Sequence, residues 1–240
     1  MAQNSGKPAS GVEASKFMNS IQQDKRNRQE EVNTLLRLIY ETKPEKILDV
    51  GCGRGRYLIP LLEQGFNVTG VEINGAQVKS LPEQYRDQVI SPDQAIQLQE
   101  TFDLIIMSHV IEHIEIKDFI DFMDSYLRLL RSNGWLMIAT PLLYEGFYDD
   151  YDHVKPYTHK AIATLYSDNT QFQKKPKYRL NLTYVWFRIW PLKLSDYPGE
   201  AVWRVHLKQV ANKFLEALYY LSGRIISRRT GWIGAFQKVE

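Results

Sequence analysis

The stretch ILDVGCGRGR, residues 47–56, decides the fold of this sequence. It begins with a short apolar run containing β-branched residues, which predicts a β-strand. It continues with glycines at 51, 53 and 55, where a backbone without Cβ atoms turns tightly and approaches a ligand closely. The next residues, YLIPLLEQG, predict a helix capped by Gly65. A strand, a glycine loop and a helix in this order predict an open α/β sheet that binds its ligand beyond the end of the first strand.

Strands and helices alternate on both sides of this stretch. Further predicted strands are 67–73, Gln88–Ile90, 102–108 and WLMIAT at 135–140, the last after a turn at Asn133-Gly134. Predicted helices are Phe17–Thr42, 75–81, Ile116–Leu130 and Thr158–Asp168. Continuous apolar strands separated by helices predict a doubly wound, mainly parallel sheet covered by helices on both faces.

The last third of the chain has a different pattern. Apolar and polar residues alternate from Tyr178 to Trp186, which predicts a strand with one solvated face. Residues 191–229 predict a helical insertion, because apolar residues recur every three or four positions from Trp203 to Ile225. The closing segment GWIGAFQKV predicts an antiparallel edge strand, which would be the seventh of the sheet.

The composition is that of an ordinary globular protein, with 44% hydrophobic and 24% charged residues. No apolar run approaches the ~20 residues that a membrane-spanning helix needs, and the polar N-terminus has no signal-peptide core. Cys52 is the only cysteine, which excludes a disulfide framework and a cysteine metal cluster. We therefore expect a cytoplasmic protein.

The net charge of +2 conceals an asymmetry along the chain. Residues 43–170 carry 11 basic and 19 acidic side chains, whereas residues 171–240 carry 13 basic and 4 acidic ones, a net charge of +9. The basic C-terminal region is expected to be a solvated face or to meet an anionic partner, either a membrane surface or nucleic acid. The amphipathic stretch 201–227 accordingly predicts either a packed helix of a substrate cap or a helix lying on a membrane, with the protein peripheral to it.

The glycine spacing discriminates between two classes of cofactor. The dinucleotide fingerprint G-x-G-x-x-G requires a third glycine at position 56, which is Arg56. The observed G-x-G-x-G follows Asp49, Glu72 ends the second strand, and SHVIEHI ends the fourth. Together these features resemble the class I S-adenosylmethionine (SAM)-dependent methyltransferases, in particular small bacterial methyltransferases with an S-H-V-x-E-H segment. The resemblance covers about residues 45–170.

This resemblance implies a seven-stranded, Rossmann-like methyltransferase fold with SAM as cofactor. Asp49 and the backbone of the glycine loop would hold the amino-acid part of SAM, Glu72 the ribose, Ile73 the adenine ring and Asp93 its amino group. The implied cofactor-binding residues are Asp49, Gly51, Cys52, Gly53, Gly55, Glu72, Ile73, Asp93, Ser108 and His109. We expect a disordered tail at 1–16 and one domain at 17–240, with the SAM-binding core at 43–170 and a substrate cap with closing strands at 171–240.

The loop after the fifth strand, TPLLYEGFYDDYDHVKPYTHK, is rich in aromatic and titratable residues and overhangs the same strand ends. The aromatic residues predicted to line a substrate pocket, or alternatively to pack the loop on the sheet, are Tyr144, Phe147, Tyr148, Tyr151 and Tyr157. Histidine suits the deprotonation of an acceptor near neutral pH. His153 is the first candidate for this base and His109 the second, while a structural hydrogen bond from His153 to the Glu112–His113 region is the alternative.

A metal site is the alternative to a metal-free pocket. His109, Glu112 and His113 share one face at helical spacing, and His153 would complete a nitrogen-and-oxygen ligand set. This layout is similar to that of small-RNA terminal 2′-O-methyltransferases, except that His109 replaces a glutamate. The sequence thus favours methyl transfer to an oxygen or nitrogen of a small-molecule or glycan-like acceptor. The alternatives are a metal-assisted RNA 2′-O-methyltransferase and a non-catalytic SAM-binding protein.

Overall fold

The computed structural model describes residues 29–99, 101–168, 172–197 and 199–239, and these residues contain one seven-stranded sheet. The strands are β1 (Lys46–Val50), β2 (Asn67–Val71), β3 (Val89–Ile90), β4 (Phe102–Ser108), β5 (Leu130–Pro141), β6 (Leu180–Trp190) and β7 (Arg228–Lys238). Their order across the sheet is β3-β2-β1-β4-β5-β7-β6. Strands β1 to β5 are parallel to one another, and β7 is antiparallel to both β5 and β6. The predicted fold class is confirmed.

Helices cover both faces of this sheet. They are α1 (29–42), α2 (Leu58–Glu63), α3 (Gly75–Ser80), α4 (Glu83–Arg86), α5 (Pro92–Ala95), α6 (Ile116–Leu127), α7 (His159–Leu165) and α8 (Val202–Leu221). Alternate residues of the central strands enter two separate cores. Leu104 and Ile106 pack with α1 and α2 on one face, whereas Ile105 and Met107 pack with α6 and α7 on the other. Residues 17–28 of the predicted first helix lie outside the described residues.

The closing strand is antiparallel as expected, but its predicted position at the edge of the sheet is wrong. Strand β7 lies between β5 and β6, and β6 forms the edge. The reason is burial, since Trp232, Ile233 and Phe236 are fully buried and require cover on both faces. In β6, by contrast, only Leu180 and the charged Arg188 are buried.

Strand β5 begins before the Asn133-Gly134 pair, not after it. Leu130 already pairs with Phe102, and the register then shifts so that Leu104 faces Trp135. Asn133 has a positive φ of 60°, which accommodates this irregularity. The pair predicted to form a turn therefore lies within the strand.

Candidate SAM and acceptor site

The glycine loop has the close-packed backbone that the sequence predicts. Gly51, Gly53 and Gly55 all have positive φ, at 71°, 54° and 80°. A Cβ atom at Gly51 would lie 2.5 Å from the side chain of Val110, and one at Gly55 would lie 2.7 Å from Ile59. Since both the conformation and the space exclude other side chains, the loop requires glycine at these positions.

Glu72 connects this loop to the end of β2. Its carboxylate accepts hydrogen bonds from the Gly53 N–H at 2.9 Å and the Asn74 N–H at 2.7 Å. The neighbouring Ile73 is 85% exposed, although isoleucine is usually buried. A carboxylate and an uncovered apolar side chain thus lie side by side at the carboxyl end of the sheet, where the ribose and the base of a nucleoside would bind.

Asp49 is a buried polar residue of the crevice that lacks a full set of hydrogen-bond partners. Its side chain is 1% exposed, and one carboxylate oxygen has no hydrogen-bond partner among the described residues. Burial, aided by the nearby Glu72 carboxylate, raises the pKa of Asp49 to about 7. The buried Tyr57 and Ser108 hydroxyls also lack a hydrogen bond of normal geometry within the part of the chain that the structure describes. Such groups are stabilised by a polar ligand, and the ammonium of a bound amino acid suits Asp49.

The remaining implied cofactor residues have unequal positions. Cys52 donates its backbone N–H to the Val71 carbonyl at 3.0 Å, and its side chain is buried in the core. Asp93 is exposed in the first turn of α5. The Glu72 N–H donates to Ile90 at 3.1 Å, which places the end of β3, and the start of α5 after it, beside the end of β2.

His109 is held between two carboxylates. It has a positive φ of 56°, and its Nε2 lies 2.8 Å from Glu31 Oε1 while its Nδ1 lies 3.1 Å from Glu112 Oε1. Burial alone would lower the pKa of His109, but the hydrogen bonds to Glu112 and Glu31 outweigh it and raise the pKa to about 9. The ring is therefore a cation at neutral pH with both nitrogens engaged. This geometry does not suit the general base for which His109 was the second candidate.

Arg188 and two threonines complete this buried network. The Arg188 guanidinium donates to Glu31 Oε2 at 3.0 Å and to the Thr230 carbonyl at 3.0 Å. The Thr140 hydroxyl donates to Glu112 at 2.9 Å. Although burial opposes it, the His109 hydrogen bond and the His109 and Arg188 charges lower the pKa of Glu31. Two cations thus balance two carboxylates, which burial requires.

A cavity of about 250 Å³ opens beside this network. Its lining joins the glycine loop, the β4 end, the loop after β5 and the end of β6. The lining residues are Arg56, His109, His113, Pro141, Tyr144, Asp150, His153, Arg188 and Trp190. Since Arg56 belongs to the glycine loop, the cavity adjoins the crevice for the cofactor.

His153 presents one free nitrogen in this cavity. Its Nδ1 lies 2.6 Å from the Phe147 carbonyl oxygen, which accepts a hydrogen bond and so places the ring proton on Nδ1. The lone pair of the neutral ring is then on Nε2, 3.8 Å from an Asp150 carboxylate oxygen. The ring packs between Phe147 and His113, with centroid distances of 4.6 and 4.9 Å. His153 is therefore oriented as a base would be, and it makes no hydrogen bond to the Glu112–His113 region.

Only Tyr144 of the predicted aromatic residues lines the cavity. Phe147 and Tyr157 are buried, and Tyr157 stacks on Phe119 and donates its hydroxyl to the Ile114 carbonyl. Tyr148 and Tyr151 are exposed to solvent. These four residues pack the loop or face solvent, because the loop folds its aromatic rings onto α6 and onto each other.

Sequence reasoning missed Glu31, Arg56, Asp150, Arg188 and Trp190. A signal existed for Arg188, since a charged residue interrupts the apolar run YVWFRIW and must find a partner when buried. In the structure, Gly231 leaves room for this side chain, because a Cβ atom there would lie 2.8 Å from the Arg188 guanidinium. The partner itself, Glu31, lies 157 residues away in the chain.

Three of the four alternative metal ligands come together. Glu112, His113 and His153 offer ligand atoms that all lie within 4.8 Å of one another. His109 is not part of this group, because its two nitrogens face Glu31 and Glu112. Residues 109–115 contain only a 3₁₀ turn at Ile111–His113, so the helical spacing assumed for the set is absent.

The comparisons with known proteins establish the family. Residues 23–175 match the family model of a methyltransferase domain, and the chain belongs to this family. The crevice fits SAM, the cofactor that the sequence resemblance implies, through the glycine loop, the Asp49 oxygen that has no partner among the described residues, and the exposed Ile73.

Individual proteins are similar to the chain in sequence or in fold. A ubiquinone biosynthesis O-methyltransferase of Rhizobium etli is 27% identical over 104 residues, which is 40% of each chain. A SAM-dependent methyltransferase of Archaeoglobus fulgidus has the same fold, with a TM-score of 0.58 and 20% identity over 88% of this chain and 94% of that one. The magnesium protoporphyrin IX methyltransferase of Synechocystis, solved with bound SAM, has a TM-score of 0.54 and 14% identity, over 97% of this chain and 86% of that one.

Proposed function

We propose that the protein transfers the methyl group of SAM to an oxygen or nitrogen of a small-molecule or glycan-like acceptor in the cavity beside the glycine loop. One observation carries this proposal: the same cavity is lined by Arg56 of the cofactor loop and by His153 with its free Nε2. A hydroxyl is the favoured acceptor, because the Rhizobium relative is named an O-methyltransferase.

The cofactor would be held by groups already described. Asp49 would pair with the ammonium of the amino-acid part, Glu72 would bind the ribose, and Ile73 would cover one face of the adenine. Gly51, Gly53 and Gly55 would allow the backbone to approach the cofactor, and Ser108 and Asp93 would contribute hydrogen bonds at its two ends. When bound, SAM supplies an electrophilic methyl group on a sulfonium.

The protein's part in catalysis is then orientation and proton acceptance. The cavity would hold the acceptor hydroxyl with its lone pair directed at the methyl group. His153 Nε2 would accept the hydroxyl proton as the oxygen attacks, and Asp150 would stabilise the resulting imidazolium. His109 would not take this proton, because both of its ring nitrogens face carboxylates and its pKa is raised, and its role would be to hold Glu31 and Glu112 in place.

The replacement His153→Asn tests the proposal. Asparagine retains a donor for the Phe147 carbonyl and lacks the Nε2 lone pair. With an acceptor identified from labelled SAM and fractionated cell extract, we expect kcat to fall about 10²- to 10⁴-fold, with unchanged SAM affinity. His113→Asn is the matched control, since His113 lines the same cavity. An unchanged kcat in His153→Asn would refute the assignment of the base.

A second candidate is a metal-assisted transfer to an RNA 2′-hydroxyl, favoured by the group Glu112, His113 and His153. Metal analysis of protein purified without chelator separates the two. A stoichiometric divalent ion whose binding is lost in both His113→Asn and His153→Asn would support the metal-assisted RNA methyltransferase. Activity that persists in EDTA would support the metal-free methyl transfer.

A further inference from the structure

Helix α8 is amphipathic, but its apolar side faces outward. Trp203, Leu207, Val210, Phe214 and Leu221 follow one another at intervals of three, four and seven residues and therefore share one side of a helix with about 3.6 residues per turn. Their exposed fractions lie between 62% and 84%. We call these five residues the apolar stripe. An exposed apolar surface of this extent marks an interaction site.

The side of α8 that faces the protein carries the polar residues Lys208 and Asn212 together with the buried Tyr219. The Asn212 side chain accepts from the Leu194 N–H at 2.7 Å and donates to its carbonyl at 2.8 Å. Lys208 donates to the Ser195 carbonyl at 2.6 Å and pairs with Glu200. These bonds fix the rotation of the helix, so the stripe cannot turn inward without breaking them.

The end of α8 is also tied down. Arg224 donates to both carboxylate oxygens of Glu30 in α1 at 2.8 Å, and to the hydroxyl of Tyr219, the one buried residue of α8. The stripe is thus held at a fixed place on the protein, which a docking surface needs.

The same segment connects α8 to the cavity. Trp190, which lines the cavity, immediately precedes the segment that contains Leu194 and Ser195. The Ser195 hydroxyl hydrogen-bonds the carboxylate of Glu145, the neighbour of the cavity residue Tyr144. Helix α8 is therefore attached directly to the rim of the proposed acceptor site.

Charge identifies the class of partner. Arg204 and Lys213 are exposed on either side of the stripe, while the acidic Glu216 lies on the far side of the helix. Residues 171–240 as a whole carry a net charge of +9. A second copy of this chain would bring Arg204 and Lys213 against like charges, whereas an anionic surface would complement them.

We propose that α8 lies in the plane of an anionic phospholipid bilayer, with the apolar stripe at the boundary between headgroups and acyl chains. A helix with Trp, Phe and Leu on one side and basic residues flanking them has this property. In the described residues no helix is long and apolar enough to cross a membrane. The docking does not depend on the proposed function, but it places the cavity rim at the membrane surface.

Vesicle co-sedimentation of the full chain tests the proposal. We expect it to sediment with phosphatidylcholine–phosphatidylglycerol vesicles and to remain in solution with phosphatidylcholine alone. The double variant Leu207→Gln, Phe214→Gln should bind about 100-fold more weakly. Removal of the flanking charges, Arg204→Gln with Lys213→Gln, should weaken binding roughly 10- to 30-fold. The control Ile116→Gln with Phe172→Gln replaces two exposed apolar residues outside α8 and should bind as the wild type does.

Calorimetric SAM binding verifies that each variant is folded, and it separates failure of docking from failure of the proposed function. Wild-type protein that stays in solution with anionic vesicles would overturn the proposal. So would a concentration-dependent dimer, seen by sedimentation velocity, that Leu207→Gln with Phe214→Gln dissociates, because the stripe would then be the interface of a second copy.

Discussion

Helices α6 and α8 are both amphipathic, yet they use their apolar sides in opposite ways. Helix α6 buries Phe119, Met123, Tyr126 and Leu127 against the sheet. Helix α8 buries only Tyr219, directs Lys208 and Asn212 towards the protein and leaves its apolar stripe in solvent. The comparison teaches that an amphipathic pattern establishes two different sides of a helix but not which of them meets the core.

The connections explain the difference. Helix α6 joins the parallel strands β4 and β5, and such a crossover must run back across a face of the sheet. Helix α8 joins the antiparallel strands β6 and β7, which need no crossover. Its orientation is set instead by the polar contacts of Lys208, Asn212 and Arg224.

The largest expected effect is on the α6 side of this comparison. Phe119 is 3% exposed and stacks on Tyr157, so Phe119→Ala leaves a cavity in the core. We expect the free energy of unfolding to fall by about 3–5 kcal/mol, measured by urea denaturation. A loss below about 1 kcal/mol would show that α6 packs no more tightly than α8.

A smaller effect concerns the buried network around Glu31, which connects His109 after β4 with Arg188 in β6. The folded pKa of His109, about 9, exceeds its usual value near 6.5. Its contribution to stability is therefore fully present below pH ~6.5 and is lost as the pH rises through ~9, a change of up to about 3 kcal/mol. Denaturation at pH 6 and pH 10 should show this loss in the wild type and a smaller loss in His109→Gln. Equal losses in the two proteins would contradict it.

The third effect is on the affinity for SAM and concerns Glu72 at the end of β2. Glu72→Ala should weaken SAM binding by about 1–3 kcal/mol, since a charged acceptor of hydrogen bonds is lost. Isothermal calorimetry measures this loss. Glu63→Ala is the matched control, because Glu63 accepts a hydrogen bond from Tyr85 outside the crevice. Equal affinity in Glu72→Ala and the wild type would remove the ribose assignment.

The smallest effect completes the comparison with α6. Phe214 is 64% exposed, so Phe214→Ala should change the free energy of unfolding by less than about 0.5 kcal/mol. The same denaturation measurement applies as for Phe119→Ala. A loss of several kcal/mol would mean that the stripe is covered within the protein itself, and the two helices would then be alike.

What the sequence predicts, and what it does not, follows from the range of the interactions. The glycine loop and Glu72 are predictable because local spacing determines their conformation. The ion pair between Arg188 and Glu31 depends on the relative placement of elements that are distant in the sequence, and no local pattern predicts it. Likewise, Tyr144 and Tyr157 belong to the same aromatic-rich loop, and only the path of the loop places Tyr144 in the cavity and Tyr157 in the core.

The interior position of β7 has a consequence for synthesis. Strand β7 pairs with both β5 and β6. Because β7 is synthesised after both of them, neither of these pairings can form until β7 has left the ribosome. Until then the nascent chain exposes the unpaired edge of β5, which is a template for intermolecular pairing. A premature stop before Arg228 would thus separate two strands at once, and we expect such a product to be a chaperone or protease substrate.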